Sequence, residues 1–198
     1  EPLESEDIVI NKEIEGSINI AVGRDKCFCF YYEDNFKLLE KLGAKITYFS
    51  PLYDKKLPEN IDAVILGGGY PEENIDTLTN NISMIESIKH AKDNGVFIYA
   101  ECAGFMYMGN QLNIDGKDYK MTGIVNNDFI MTKGLVRFGY SKLTAQRDNF
   151  LCKKGETIPC HEFHYSDSNN NGDAFVSESP SGERSHCIIA DDSIITGY

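Results

Sequence analysis

The sequence is poor in basic residues, with 19 of them against 31 acidic ones and a net charge of −12. Nucleic acids and anionic membrane surfaces are bound by clustered basic residues, so this composition argues against both kinds of partner. No apolar run approaches the length needed to cross a bilayer, and the acidic residues 1–7 do not resemble a signal peptide. We therefore expect a cytoplasmic protein with no nucleic-acid or membrane partner.

The six cysteines form no C-x-x-C pair and no evenly spaced framework. This pattern argues against a disulfide scaffold and favours free thiols in a reduced compartment. A single residue separates Cys27 from Cys29, which is the wrong spacing for a zinc knuckle. A G-x-x-x-x-G-K-[ST] loop is also missing, so ATP binding by that route is not expected. We predict no metal site and no cofactor in this chain.

The length of 198 residues suits one domain rather than two independent ones. Residues 1–17 are mostly polar and acidic and lack sustained apolar periodicity, which predicts a linker cut from a longer protein. Residues 18–198 are predicted to form the domain itself.

Short apolar strands alternate with helical segments in the first half of the chain. The predicted strands are Ile18–Val22, Lys45–Phe49, Ala63–Leu66 and Val96–Tyr99, and the predicted helices are Tyr31–Leu42 and Asn74–Lys92. This alternation is typical of βαβ units, so we predict a three-layer α/β fold with a mainly parallel sheet and helices on both faces. In such sheets reactive groups collect beyond the carboxyl ends of the strands.

The second half is less regular and predicts an antiparallel extension of the fold. Short strands are expected at Met121–Val125 and Leu135–Phe138, and again near the C-terminus at residues 188–198. The segment Ser166–Asp173 is rich in Ser, Asn and Asp, which predicts a polar loop.

The most informative segment is an apolar strand that runs into a cysteine and then into small residues. Residues 96–98 lead directly into YAECAG at 99–104, with the thiol at Cys102. In an α/β protein such a sharp strand-to-helix turn exposes the thiol beside the N–H groups of the helix start. A buried structural cysteine is the alternative that this segment alone leaves open.

A nucleophilic cysteine needs a base and hydrogen-bond donors for the oxyanion. His161 and His164 lie in an extended segment, where a spacing of three puts them on opposite faces, so one of them can enter a site. The N–H groups of Ala103 and of the turn Gly67–Gly69 are candidate donors. From the residues alone, structural histidines and a flexible glycine turn remain open.

Five motifs occur in an order that resembles a known family. They are Arg24–Tyr32 (RDKCFCFYY), Phe49–Pro51 (FSP), Gly67–Glu72 (GGGYPE), Ala100–Tyr107 (AECAGFMY) and His161–Ser166 (HEFHYS). Together they are similar to the glutamine amidotransferase domain of the cobyrinic acid a,c-diamide synthase family. The resemblance runs from about residue 18 to the end of the chain, and no single motif would suffice for it.

The resemblance implies a flavodoxin-like fold and a class I amidotransferase that releases ammonia from L-glutamine through a γ-glutamyl thioester. At the matching positions Cys102 would be the nucleophile and His164 the base. Gly68, Gly69 and Ala103 would surround the oxyanion and the substrate.

Four further residues bear on the implied site. Class I relatives usually carry a glutamate where this chain has Ser166, so a Cys–His dyad with a loosely held imidazole is implied. Ala103 replaces the glycine that usually follows the nucleophile, which we expect to alter the turn slightly because alanine resists positive φ. Glu72 and Glu101 lie nearby in sequence and are interpreted as polar scaffold or domain-contact residues.

The resemblance also implies a longer protein. In that family an N-terminal synthetase domain uses ATP and Mg²⁺ to amidate the a and c carboxylates of cobyrinate in cobalamin biosynthesis. Residues 1–17 would link to that domain, and a few residues past Tyr198 would be missing. The expected partners are L-glutamine, the synthetase domain and the corrinoid. The alternatives are a related tetrapyrrole such as nickel sirohydrochlorin, or a degenerate docking domain without activity.

Overall fold

The computed structural model describes residues 17–198, and within them fourteen strands and four α-helices. The strands are β1 (Asn19–Gly23), β2 (Lys45–Phe49), β3 (Ala63–Leu66), β4 (Phe97–Glu101), β5 (Gln111–Ile114), β6 (Lys117–Lys120), β7 (Asp128–Met131), β8 (Arg137–Ala145), β9 (Thr157–His164), β10 (Ser166–Ser168), β11 (Phe175–Glu178), β12 (Arg184–Cys187), β13 (Ile189–Ala190) and β14 (Ile194–Gly197). The helices are α1 (Glu33–Lys41), α2 (Ile75–Asn80), α3 (Ile82–Asp93) and α4 (Ala103–Met108).

The central sheet has six strands in the order β13-β14-β4-β3-β1-β2. Five of them, from β14 to β2, run parallel, and only β13 is antiparallel to its neighbour. With the parallel strands ranked by their position in the chain, this is the flavodoxin-like order 2-1-3-4-5. The prediction of a mainly parallel sheet is therefore confirmed.

Helices cover both faces of this sheet, because alternate strand residues are apolar on each side. On one face Ile20 and Val22 of β1 pack with Phe36 of α1. The main core lies on the other face, where Val64 and Ile98 pack with apolar residues of α2, α3 and α4. Burying both faces of a parallel sheet is the rule for this architecture, and the predicted three layers are confirmed.

The predicted long helix at 74–92 is interrupted. A 3-10 turn at Pro71–Asn74 precedes α2, and Asn81 separates α2 from α3. The Asn81 side chain is buried and donates hydrogen bonds of 2.8 Å to the carbonyls of Pro51 and Asp54. The break exists because this amide ties the helix pair to the loop after β2, a tertiary contact that apolar spacing does not reveal.

The antiparallel extension consists of two further four-stranded sheets, in the orders β10-β7-β5-β6 and β12-β11-β8-β9. Two predictions in this half are wrong. Residues 121–125 form no strand, and the strand lies instead at Asp128–Met131. The predicted polar loop at 166–173 begins as strand β10, because Ser166–Ser168 pair with β7 despite their polar side chains.

The sequence also carries expectations about the cysteines, a membrane span, a metal site and the linker. All six cysteines are free thiols, as expected. Among residues 17–198 no helix is long and apolar enough to cross a membrane, and no three metal-ligating side chains gather into a cluster. The predicted linker falls almost entirely on residues 1–16, outside the described part of the chain.

Candidate active site

Cys102 lies in the sharp turn between β4 and α4, with a backbone φ of 53° and ψ of −105°. A non-glycine residue in this region is strained by about 1–3 kcal/mol, and such strain is typical of nucleophile elbows. Hydrogen bonds on both sides hold the turn. The Cys102 N–H donates to the Gly197 carbonyl at 2.9 Å, and the Cys102 carbonyl accepts from the Met106 N–H at 3.0 Å.

The helix after the turn is packed directly against strand β3. The Gly104 N–H donates to the Gly67 carbonyl at 3.1 Å, and a Cβ at Gly104 would lie 2.3 Å from the Leu66 carbonyl oxygen. Ala103 is the first residue of α4, so the positive φ falls on Cys102 rather than on Ala103. The expected distortion from alanine at this position is therefore wrong, because the position does not require positive φ.

Replacing Gly104 with alanine should destabilise the fold and misplace the thiol. The added methyl group would meet backbone rather than a mobile side chain, and overpacking of this kind costs about 1–3 kcal/mol. Urea unfolding of Gly104→Ala measures the loss, with Gly134→Ala as the matched control because nothing lies within 4 Å of a Cβ there. Equal stability of the two variants would contradict the tight contact.

The glycine turn at residues 67–69 faces the thiol. The N–H groups of Gly69 and Ala103 favour the charged form of the Cys102 thiol and so lower its pKa, and a Cβ at Gly68 would lie 3.6 Å from the Cys102 Cβ. A Cβ at Gly69 would lie 2.1 Å from the Cys27 carbonyl oxygen, so only glycine fits. The predicted oxyanion residues are thus placed around the sulfur.

The segment at 27–30 holds the glycine turn in place through backbone hydrogen bonds. The N–H groups of Cys29 and Phe30 donate to the Gly68 carbonyl at 2.9 and 3.0 Å. The Tyr31 hydroxyl accepts from the Gly67 N–H at 2.9 Å and donates to the Gly23 carbonyl. These contacts, which the sequence does not reveal, explain why the motif at 24–32 accompanies the glycine turn.

The thiol of Cys102 is neutral at pH 7. Burial raises its pKa above the ordinary value of 9.0, the Ala103 and Gly69 N–H groups oppose that rise, and Glu101 and Glu72 add to it. Because desolvation penalises the thiolate, a base is needed to remove the proton when the substrate is bound.

His164, the last residue of β9, has the state required of such a base. Its side chain is buried, and its Nδ1 lies 2.7 Å from the Ser166 carbonyl oxygen, to which it donates. The opposite nitrogen, Nε2, is buried and has no hydrogen-bond partner among the described residues. Burial lowers the pKa of the imidazole below 6.5. His164 is therefore neutral at pH 7, with a free lone pair on Nε2.

Tyr198 holds the imidazole on its face and connects it with the cysteine turn. The rings of His164 and Tyr198 stack with 3.9 Å between centroids and an interplanar angle of 3°. Tyr198 follows Gly197, whose carbonyl accepts the Cys102 N–H. The expectation of a loosely held imidazole is therefore wrong: Ser166 supplies a backbone carbonyl in place of a carboxylate, and Tyr198 supplies a stacking surface.

The two carboxylates predicted to be scaffold lie near the thiol. Glu101 accepts a hydrogen bond of 3.0 Å from the Tyr99 hydroxyl, and desolvation of its carboxyl raises its pKa. Desolvation also raises the pKa of Glu72. Both charges act on the Cys102 thiol, so these residues influence the electrostatics of the site as well as its shape.

His161 is excluded from the site, as the alternation along β9 predicts. It is exposed, and its ring makes edge contacts with Phe138 and Tyr140 on the outer side of the strand. The structure therefore distinguishes the two histidines: only His164 faces inward.

Comparison with known proteins identifies the kind of domain. A family model described as a CobB/CobQ-like glutamine amidotransferase domain matches residues 19–196. The chain belongs to this family. The resemblance carried by the five motifs is thereby confirmed, and the chain is a glutamine amidotransferase domain.

Curated relatives of this CobB/CobQ-like domain are longer proteins. The cobyrinate a,c-diamide synthase of Clostridium tetani is 47% identical over 150 residues, which cover 76% of this chain and 34% of the relative. That of Caldanaerobacter subterraneus is 42% identical over 165 residues, covering 83% of this chain and 36% of the relative. The chain spans about a third of the length of these relatives.

Solved structures show the same fold at low sequence identity. A glutamine amidotransferase from Thermotoga maritima superposes with a TM-score of 0.57 and 12% identity, over 90% of this chain and 74% of that one. This likeness shows the fold alone, and it agrees with the strand order of the CobB/CobQ-like domain.

Proposed function

We propose that Cys102 and His164 are the nucleophile and the base with which this amidotransferase domain hydrolyses glutamine. The observation that carries the proposal is the stacking of the His164 ring on Tyr198, whose neighbour Gly197 accepts the Cys102 N–H, because it brings a neutral imidazole to the cysteine turn. The Cys102 thiol keeps its proton because burial raises its pKa, while the imidazole has a buried lone pair without a partner among residues 17–198.

In the first step His164 Nε2 takes the proton of the Cys102 thiol, and the sulfur attacks the side-chain amide carbon of glutamine. The N–H groups of Ala103 and Gly69, which favour negative charge at the sulfur, stabilise the oxyanion that forms beside it. Removing one such donor typically slows a reaction about 10²–10³-fold. The imidazolium then protonates the departing amine, which leaves as ammonia.

In the second step water hydrolyses the γ-glutamyl thioester. His164, neutral again after ammonia leaves, takes a proton from the water, and the resulting hydroxide attacks the thioester carbonyl. The carbon–sulfur bond breaks, glutamate departs, and the proton returns to the Cys102 sulfur. The same base therefore serves both halves of the reaction, taking a proton from the thiol in the first and from water in the second.

The ammonia is used elsewhere in a longer protein. Because the curated relatives described above are cobyrinate a,c-diamide synthases, we assign to the whole protein the amidation of the a and c carboxylates of cobyrinate. A synthetase portion outside this chain would bind ATP and Mg²⁺ and activate the carboxylates. Residues 1–17 would connect that portion to the domain.

The test of the whole-protein function is product identity. Full-length enzyme is incubated with ATP, Mg²⁺, glutamine and either cobyrinate or nickel sirohydrochlorin, and mass spectrometry detects amide formation. Two amidations of cobyrinate are expected. Amidation of nickel sirohydrochlorin alone would overturn the substrate assignment, and glutamine hydrolysis undetectable under all conditions would indicate a degenerate domain.

The pH dependence of glutamine hydrolysis should follow His164. Burial lowers the imidazole pKa, so His164 is still mostly neutral when the pH has fallen to 6.5. The value of kcat/KM should therefore begin to fall only at pH values below 6.5. The thiol pKa is raised, so iodoacetamide should alkylate Cys102 slowly at pH 7 and faster as the pH rises above 9. An acid limb above pH 6.5, or alkylation that is already maximal at pH 7, would contradict the neutral pair.

A further inference from the structure

A row of aromatic side chains lies on the outer face of strands β8 and β9. In the antiparallel register Phe138 is directly opposite Phe163, and Tyr140 is directly opposite His161. Tyr165 continues the row, with its ring centroid 5.6 Å from that of Phe163. We call these five residues the aromatic ladder.

The aromatic ladder is extensively exposed to solvent. The exposed fractions are 69% for Phe138, 75% for Tyr140, 53% for Phe163 and 44% for Tyr165. Together these four rings present on the order of 500 Å² of surface, since an aromatic side chain has about 150–250 Å² to bury. The largest apolar patch of a typical monomer has about 300–600 Å², and such a patch is often functional.

The strands of the ladder are less exposed on their other face, where residues are partly buried and His164 is buried. The residues between the ladder positions point inward, where His164 is opposite Arg137 and Arg137 lies 3.8 Å from Glu162. The same β9 therefore carries the base of the active site on one face and the ladder on the other. Strand β9 is also at the edge of its sheet, and edge strands are where proteins add partners.

We propose that the aromatic ladder is the surface on which the rest of the longer polypeptide docks, an inference that rests on the proposed function. The curated relatives are more than twice as long as this chain, so the synthetase portion is large enough to cover the patch. A standard interface buries about 800 Å² on each partner, and aromatic residues form its energetic centre. The ladder supplies that centre.

The charges favour a covalently linked partner over a second copy of this chain. The chain has a net charge of −12, so two copies repel each other, while the ladder itself bears no carboxylate or ammonium group. A linked portion is held at millimolar effective concentration and does not depend on association from solution. Docking there would also fix β9, and with it the position of His164.

Hydroxyl-radical footprinting of the full-length enzyme tests the proposal without requiring activity. Phe138 is compared with Phe150, a matched phenylalanine that is 71% exposed and stacks on Phe97 at the amino end of β4, away from Cys102. We expect Phe138, Tyr140 and Phe163 to be oxidised at least roughly fivefold more slowly than Phe150, as for side chains central to an interface.

The outcomes separate the docking proposal from its alternatives. Protection of the aromatic ladder that is independent of protein concentration supports docking within one polypeptide. Ladder residues oxidised as fast as Phe150 overturn it, and so does protection that disappears on dilution, which would indicate a second copy. If the enzyme amidates cobyrinate while the aromatic ladder is unprotected, the docking proposal is contradicted and the proposed function is not. If the aromatic ladder is protected but cobyrinate is not amidated, the proposed function is contradicted and the docking proposal is not.

Discussion

We expect that replacing Cys102 with alanine will abolish the proposed glutamine-dependent amidation by the full-length enzyme and leave ammonia-dependent amidation intact. Without the sulfur no thioester forms, and the loss should be about 10⁴-fold or more, as for other nucleophile deletions. Added ammonium salt bypasses the missing step because it supplies the product of this domain directly. The measurement is the rate of amide formation with glutamine and with ammonium chloride, at equal enzyme concentration.

Cys160→Ala is the control for this variant. Cys160 is a half-buried thiol on β9 that lies 2.9 Å from the Ser141 hydroxyl, away from the cysteine turn. It should retain both activities. Glutamine-dependent turnover that survives in Cys102→Ala, or vanishes in Cys160→Ala, would contradict the assignment of the nucleophile.

Replacing His164 with glutamine is expected to slow glutamine hydrolysis about 10²–10⁴-fold, the usual contribution of a general base. Glutamine fills a similar volume but cannot accept and return a proton at the thiol. The residual activity should lose the acid limb assigned to His164. A pH series of kcat/KM measures both the loss of rate and the presence or absence of the acid limb.

His90→Gln controls for the loss of a histidine as such, because His90 is exposed on α3. Its pH profile should be that of the unchanged enzyme. If His164→Gln kept the acid limb, another group would have to be the base, even with the rate reduced.

The central fold was predictable because its sequence signals are local. The strands at 45–49 and 63–66 have the predicted bounds. Both are short runs of mostly apolar residues, rich in β-branched or aromatic side chains and flanked by turn residues, and such runs favour strands over helices. The positions of Cys102 and of the glycine turn followed from the rule that parallel strands end at one edge. The inward direction of His164 followed from the two-residue period of a strand.

What could not be predicted depends on contacts between distant residues. Nothing near Tyr198 in sequence indicates that its ring stacks on His164, and a serine gives no sign that its backbone carbonyl will orient an imidazole. The same holds for Asn81, whose buried amide divides the predicted helix. Strand β10 could not be predicted either, because its side chains are polar and its pairing with β7 is made by the backbone.

The central claim is that Cys102 is the thiol that attacks glutamine, and covalent labelling tests it most directly. The full-length enzyme is treated with a glutamine-like diazoketone, digested and analysed by mass spectrometry, with and without excess glutamine. We expect labelling that is confined to Cys102 and prevented by glutamine. Labelling at Cys27, Cys29 or Cys160 instead, or labelling of Cys102 that glutamine does not prevent, would contradict it.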